Sequence, residues 1–409
     1  MSEIRLCKKE HQILSYIYQL RTLSFHQIFH YLFLPDGCSE SYCSKLLKTL
    51  VSTGLITKQG FYKTDCYYFI TTKGISCLKN YGILSFGKKD NIPYYPDRYL
   101  IASKIKMEEK IISHQLSLNN FALSFRHNYP SDFTYYDEKF VSQIFSDIRP
   151  DGIIKLGNDY FFLEMDMCSE RKALLIEKWK NYRSFLTSQD TYKVNGSIKV
   201  LFILGGRNQL FSTRTKNLQS YIIENLWDIL CPDSDFYIGS FETLYPLMIK
   251  KTFDPRSFFS YGFTVNRGTF NEELLSRYHF DYYISKLDDN GQIMVENKMP
   301  LEFVVDDYSC KSSYVLYKMQ AFPSFQSTFQ FLTGRTIRYL ILVRDEQDAV
   351  ELLSHLDFDA TKYLFTTGKR LTKDSFYDAC FCVKNDGSIF HFSENDLRVP
   401  VFEAKLSCF

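Results

Sequence analysis

Apolar residues at Leu14, Ile17 and Tyr18, widened by Ile13 and Leu20, recur at helical spacing and predict an opening helix reaching Arg21. Ser24 is placed to cap a second helix carrying Ile28, Leu32 and Phe33. After an Asp36-Gly37 turn, Ser39 starts a third helix through Ser52, with Tyr42, Leu46, Leu47 and Leu50 inward and Ser41, Ser44, Lys45 and Lys48 outward. Gly54 ends it. Leu55 to Lys58, a Gln59-Gly60 loop and Cys66 to Thr71 then read as a hairpin, and Thr72-Lys73-Gly74 opens a fourth helix. Three helices followed by a hairpin is the winged helix-turn-helix order, which assigns residues 1–80. Pro93, Pro96 and the Lys88-Lys89-Asp90 run mark residues 81–99 as a linker.

The pattern changes after residue 100. Ile101 to Arg126 reads as one long helix interrupted by His114 and Asn119, and Phe133 to Val141 as a strand. Gly152 to Leu156, a Gly157-Asn158 turn and Tyr160 to Met167 form two further strands. Alternation along the last puts Tyr160, Phe162, Glu164 and Asp166 on one face, with Phe161, Leu163, Met165 and Met167 on the other. A helix from Ser169, its expected cap, to Leu186 follows, then a buried strand at Ile198 to Leu204, a helix at Thr215 to Leu230 and a strand at Asp235 to Phe241. The fold class is therefore α/β, with α and β elements in several domains, the second spanning residues 100–250.

Two carboxylates two residues apart in an apolar strand need compensation, because unpaired buried charge costs several kcal/mol, roughly, or forces protonation. A divalent cation held by Asp151, Glu164 and Asp166 would supply it, since hard cations take carboxylate oxygens. Solvation at a strand end, or pairing with lysines of the following helix, would do so as well. Residues 251–409 read as a degenerate copy. EFVVDDYSCKSSYVLYKMQAFPSF aligns without gaps on FFLEMDMCSERKALLIEKWKNYRSF, placing Asp306 on Asp166 and Lys318 on Lys178, but Val304 on Glu164.

Charge adds a direction. Residues 1–110 hold 16 Lys/Arg against 9 Asp/Glu, about +7 in a chain of net +2, so the rest is about −5. A basic N-terminal part suggests a polyanionic partner. Outward Ser41, Ser44, Lys45 and Lys48 would then enter the major groove, with Lys58 and Lys63 of the wing on phosphates; protein docking is the other use of such a module. No apolar run approaches the roughly 20 residues of a membrane span. The 11 cysteines lack disulfide or zinc spacing and read as reduced thiols of a cytoplasmic protein.

Pro150-Asp151, then Glu164-Met165-Asp166, then a helix resembles the PD-(D/E)-x-K nuclease superfamily, with its restriction-endonuclease-like fold. That family usually has lysine where Asp166 stands; here Lys178 and Lys180 lie on the following helix. Together with the winged helix, His114, Asn119 and the run through Lys178 and Tyr182, the pattern over roughly residues 9 to 230 resembles the replication-relaxation family of Gram-positive plasmids and integrative elements. The resemblance implies His114, Asp151, Glu164, Asp166 and Lys178 as catalytic residues, with Mg²⁺ or Mn²⁺ on the three acids. It implies double-stranded DNA as partner, alongside a relaxase or replication proteins; a homodimer goes with the reading of the nuclease-like body as a dimerisation surface. Three functions stay open: a DNA-binding protein of a mobile element acting in plasmid replication or conjugative transfer; a winged-helix transcriptional regulator with a catalytically dead nuclease-like body; and an active Mg²⁺-dependent endonuclease.

Overall fold

Helix α1 (Lys8–Leu20) opens on a capping box, the Cys7 N–H donating to Glu10 Oε2 at 2.9 Å, and buries Ile13, Leu14, Ile17 and Leu20. After strand β1 (Leu23–Ser24), Ser24 and Gln27 form a second capping box at the head of α2 (Phe25–Ile28). The helix widens over Phe29–Phe33, tightens over Leu34–Asp36 and stops at Gly37, whose φ of +68° suits glycine. Ser39 accepts the Tyr42 N–H at 3.2 Å to start α3 (Glu40–Ser52). Its inward stripe is Cys43, Leu47 and Leu50. Tyr42, expected inside, is instead exposed, because the stripe runs one residue later. Strands β2 (Ile56–Gln59) and β3 (Tyr67–Ile70) complete a three-stranded antiparallel sheet in the order β1-β3-β2, followed by α4 (Thr72–Asn80). A Cβ on Gly74 would lie 2.3 Å from the Leu55 carbonyl, so only glycine lets α4 approach the hairpin this closely.

The computed structural model describes residues 5–60, 66–83, 101–129, 133–138, 141, 145, 147–167, 171–188, 194–205, 211–248, 254–266, 272–286, 288, 290, 294–296, 299–300, 302–355, 362–384 and 386–391. Expectations placed on Lys63, on Ser169 as a cap and on residues 84–99 of the linker lie outside the described residues. Two compact units divide the chain, Met1–Gly206 and Arg207–Phe409.

Within the first unit, the long helix expected at Ile101 to Arg126 is broken. A short α5 (Ala102–Ile105) ends at Lys106, which is extended at ψ 138°, and α6 (Ile112–Asn128) begins after a tight turn at Glu109–Ile111. The break lets Met107 bury against Phe69 of β3. Strands β4 (Phe133–Asp137), β5 (Gly152–Leu156), β6 (Asp159–Asp166) and β7 (Ser197–Leu204) lie side by side in that order. The first two pairings are antiparallel and the third parallel, with α7 (Lys172–Thr187) as the crossover. Alternation along β6 holds: Phe161 meets Phe125 of α6 at 5.2 Å between ring centroids, while Phe162 meets Phe185 of α7 at 5.7 Å.

The second unit contains α8 (Phe211–Leu226), β8 (Ser234–Gly239), α9 (Phe241–Met248), β9 (Phe263–Asn266), α10 (Glu272–Arg277), β10 (Tyr283–Lys286) and β11 (Glu302–Asp307). Then come α11 (Ser313–Thr333), β12 (Arg338–Val343), α12 (Glu346–His355), β13 (Tyr363–Thr367), β14 (Phe381–Val383) and β15 (Ile389–His391). Seven of these strands form a sheet in the order β15-β14-β13-β12-β11-β10-β9. β11 pairs antiparallel with β10 and parallel with β12, and α11 is the crossover. Inside α11, Pro323 has no N–H for the Met319 carbonyl one turn back. The buried Tyr363 hydroxyl of β13 donates to that carbonyl at 2.8 Å instead. Tyr363→Phe is expected to cost about 1–3 kcal/mol through the orphaned carbonyl, read in the denaturant transition of this unit. Among the described residues, no helix is long and apolar enough to cross a membrane.

Candidate functional site

The head of β5, the end of β6 and the first two turns of α7 bring acid and base together in the first unit. Asp151 is held by its own backbone, its N–H donating to Leu163 O at 2.9 Å, and its Oδ2 accepts the Met165 N–H at 2.8 Å. His114 of α6 reaches the same spot, with Nε2 3.0 Å from Met165 O and 3.3 Å from Asp151 Oδ2. A ring nitrogen facing a carbonyl must carry the proton, so Nε2–H is the donor. Burial pulls the His114 pKa down, yet the Asp151 carboxylate and the Met165 carbonyl outweigh it and the net shift is upward.

Glu164 is almost fully buried, and both its oxygens are taken. Oε2 accepts Lys178 Nζ at 2.9 Å and Oε1 accepts the Tyr182 hydroxyl at 2.6 Å. Lys178 and Tyr182 stand one helical turn apart on α7, which is what lets both reach one carboxylate. Burial raises the Glu164 pKa to about 7 despite the Lys178 charge and the two hydrogen bonds; the Asp151 charge adds to the rise. Burial also keeps the Tyr182 hydroxyl protonated, with the Glu164 charge adding to the effect. A cleft of about 390 Å³ opens onto this pair, with Arg149, Glu177 and Asn181 also in its wall. Replacing Tyr182 by Phe is expected to cost about 1–3 kcal/mol, through the bond lost to a buried acid. It should also push the Glu164 titration, followed by carboxyl NMR, further upward.

Asp166 closes β6, buried and on the same strand face as Glu164. Among the described residues, no group of three His, Cys, Asp or Glu side chains is placed to hold a metal ion. With Glu164 saturated by Lys178 and Tyr182, the donor set as it stands does not fit a divalent metal centre.

A second polar surface lies on α3. Ser41, Ser44, Lys45 and Lys48 share its outer side as expected, and with Thr49 and Ser52 they line a groove of about 420 Å³. Lys58 is exposed on β2. Thr49 and Ser52 were legible as one further helical turn of the same face, and Tyr182 as the i+4 neighbour of Lys178. Arg149 and Asn181 carried no signal that distinguished them from other surface residues.

A family model for replication-relaxation proteins matches residues 14–201, a stretch holding the α3 face, His114, Asp151, Glu164, Asp166, Lys178 and Tyr182. Residues 14–201 are thus similar to the replication-relaxation family. No curated protein and no solved structure gave a match. The replication-relaxation match ends within β7, so the second unit lies wholly outside it.

Proposed function

We propose, from the likeness of residues 14–201 to replication-relaxation proteins, that this protein binds duplex DNA of a mobile element in plasmid replication or conjugative transfer. Residues 1–80 serve as a winged helix, and α6 through β7 as a nuclease-like body. The observation that carries the reading is α3. Its apolar stripe is consumed by the core, leaving a continuous face of hydroxyls and two lysines with no acid among the groove residues. Such a face suits phosphates and base edges. The three-stranded sheet behind it and the basic excess of residues 1–110 support the same partner. With the full chain and a plasmid duplex, affinity should fall steeply with salt. Lys45→Ala with Lys48→Ala should lower the slope of log K against log salt by about 2, at roughly 0.9 per phosphate contact. Salt-independent binding, or a double variant with the wild-type slope, overturns it.

Arg149 in the cleft wall can meet a phosphate, and metal-dependent cutting is disfavoured because Lys178 and Tyr182 occupy the carboxylate that a metal would need. Millimolar Mg²⁺ or Mn²⁺ should therefore leave the melting temperature within about 1 °C, since a ligand stabilises only the state it binds. A rise of several degrees, abolished by Glu164→Gln, would favour the endonuclease reading.

We also propose that the second unit holds a degenerate copy of the first unit's strand-helix-strand module. Extending the β5–β6 register by one step sets Asp151 opposite Glu164; extending β10–β11 by two sets Asp281 opposite Asp306. Lys318 of α11 pairs with Asp306 as Lys178 does with Glu164, and lies 4.0 Å from Asp281. This register shifts the ungapped alignment by two residues, so that Asp306 takes the place of Glu164 rather than Asp166. The connection shortens accordingly, from 14 residues between Glu164 and Lys178 to 12 between Asp306 and Lys318. Phe322 stands where Tyr182 would, and Tyr339 of β12 supplies the hydroxyl to Asp306 at 2.6 Å. An experimental structure in which Asp281 and Asp306 fail to superpose on Asp151 and Glu164 would sink the copy.

A further inference from the structure

Asn119 sits at the centre of α6 with no exposed surface, an expensive place for a carboxamide unless its polar atoms are paired. They are paired across a sequence gap of nearly a hundred residues. Nδ2 donates to Leu20 O at 3.2 Å and to Thr22 O at 2.6 Å, and Oδ1 accepts Gln115 Nε2 at 2.9 Å. The two carbonyls flank Arg21, a residue with φ +70° and ψ −40° whose neighbours close a three-residue turn, Thr22 N–H to Leu20 O, at 2.8 Å. A left-handed γ-turn at a side-chain-bearing residue is strained, and such a turn persists where the surroundings over-determine it. Asn119 grips its two carbonyls, while the Arg21 side chain donates to Ile105 O at 3.4 Å and pairs with Glu138 at 3.5 Å. On either side of Asn119 in α6, Gln27 Nε2 donates to Leu116 O at 2.6 Å and to Asn120 Oδ1 at 2.7 Å, and two turns on the Arg126 guanidinium lies 4.0 Å from the Tyr16 ring centroid. One turn before Asn119, the same helix delivers His114 to Asp151 and Met165.

We infer that Asn119 is a positioning residue: it locks the turn after α1 onto α6. The α3 face and the Glu164–Lys178 cleft are thereby held at one fixed spacing and engage a single duplex together. The inference rests on the DNA-binding reading above. A tethered winged helix would have no use for a buried carboxamide gripping a strained turn, since a flexible linker alone would keep the two surfaces near each other. Here the polar seam removes that freedom.

The test uses the full chain and hydroxyl-radical footprinting on a plasmid fragment, with fluorophore pairs introduced as unnatural amino acids at the exposed Ser76 of α4 and Lys180 of α7, both outside the α3 groove. The wild type should protect two segments at constant spacing and give one narrow transfer-efficiency peak. Asn119→Ala should keep the α3 segment, with affinity within about threefold, while the second segment fades and the transfer peak broadens. If Asn119→Ala proves unfolded by circular dichroism, Asn119→Leu, close in volume but without the two donors to the Leu20 and Thr22 carbonyls, takes its place with the same expected loss. A variant footprint and peak identical to the wild type overturns the inference, as does a wild type that protects only one segment. A wild type that binds no duplex at all overturns the DNA-binding reading itself.

Discussion

Lys318→Ala should destabilise the second unit by about 3–5 kcal/mol, the usual consequence of removing one partner from a buried ion pair. Lys318 is nearly fully buried and is the counter-charge to Asp306, whose other oxygen takes the Tyr339 hydroxyl. Burial already pushes the Asp306 pKa upward against the Lys318 charge, so losing that charge leaves a carboxylate that must protonate or be exposed. The loss should be larger at pH 8 than at pH 5, where protonation relieves it. Asp306→Leu combined with Lys318→Met removes both charges at similar volume and should recover most of the stability. Chemical denaturation of the three proteins at both pH values decides it. Equal destabilisation by the single and double variants would mean that the pair matters through packing alone.

The second large effect is at Glu164. A carboxyl whose pKa is raised from 4.5 to about 7 on folding binds its proton more tightly folded than unfolded. Its stabilising contribution is therefore complete at low pH, declines between about pH 4.5 and 7, and is absent above. At about 1.4 kcal/mol per unit the decline is of the order of 3 kcal/mol as an upper bound. Glu164→Gln mimics the protonated acid at every pH. The variant should match the wild type near pH 5 and exceed it above pH 7. His114, also raised, contributes stability below about pH 6.5 that is lost as pH climbs through its folded value, but it does so in both proteins. Melting curves from pH 5 to 8 make the comparison. A variant that melts lower by the same margin throughout would show that the charged form of Glu164 is the one the fold requires.

Local pattern carried much of this architecture. Alternation along β6 put Glu164 and Asp166 on one face, Gly157 at φ +62° made the expected hairpin turn, and Ser24 and Ser39 became helix caps. Misreadings arose where packing overrode periodicity. Cys43 rather than Tyr42 lines the core of α3, and Met107 breaks a helix that propensity would have continued. Half of the site was legible in the same way. The acids stood out as charges in an apolar strand, and pairing with lysines of the following helix was one of the ways to compensate them; which lysine does so was pointed to by the family motif. What no local rule supplies is pairing at long range: the Tyr182 hydroxyl on Glu164, or Asn119 on two carbonyls a hundred residues away.

The proline within α11 has a consequence for the order of events in folding. Either half of that helix can wind on local contacts, but the joint at Met319 is sealed only when β13 arrives with Tyr363, 44 residues further along the chain. The complete rod is thus a late product of sheet assembly rather than a seed for it. Interactions made after the rate-limiting barrier govern how fast a protein comes apart, not how fast it forms. Tyr363→Phe should accordingly leave the refolding rate of the second unit nearly unchanged and speed its unfolding. In that case a single phenolic hydroxyl sets part of the lifetime of the native state.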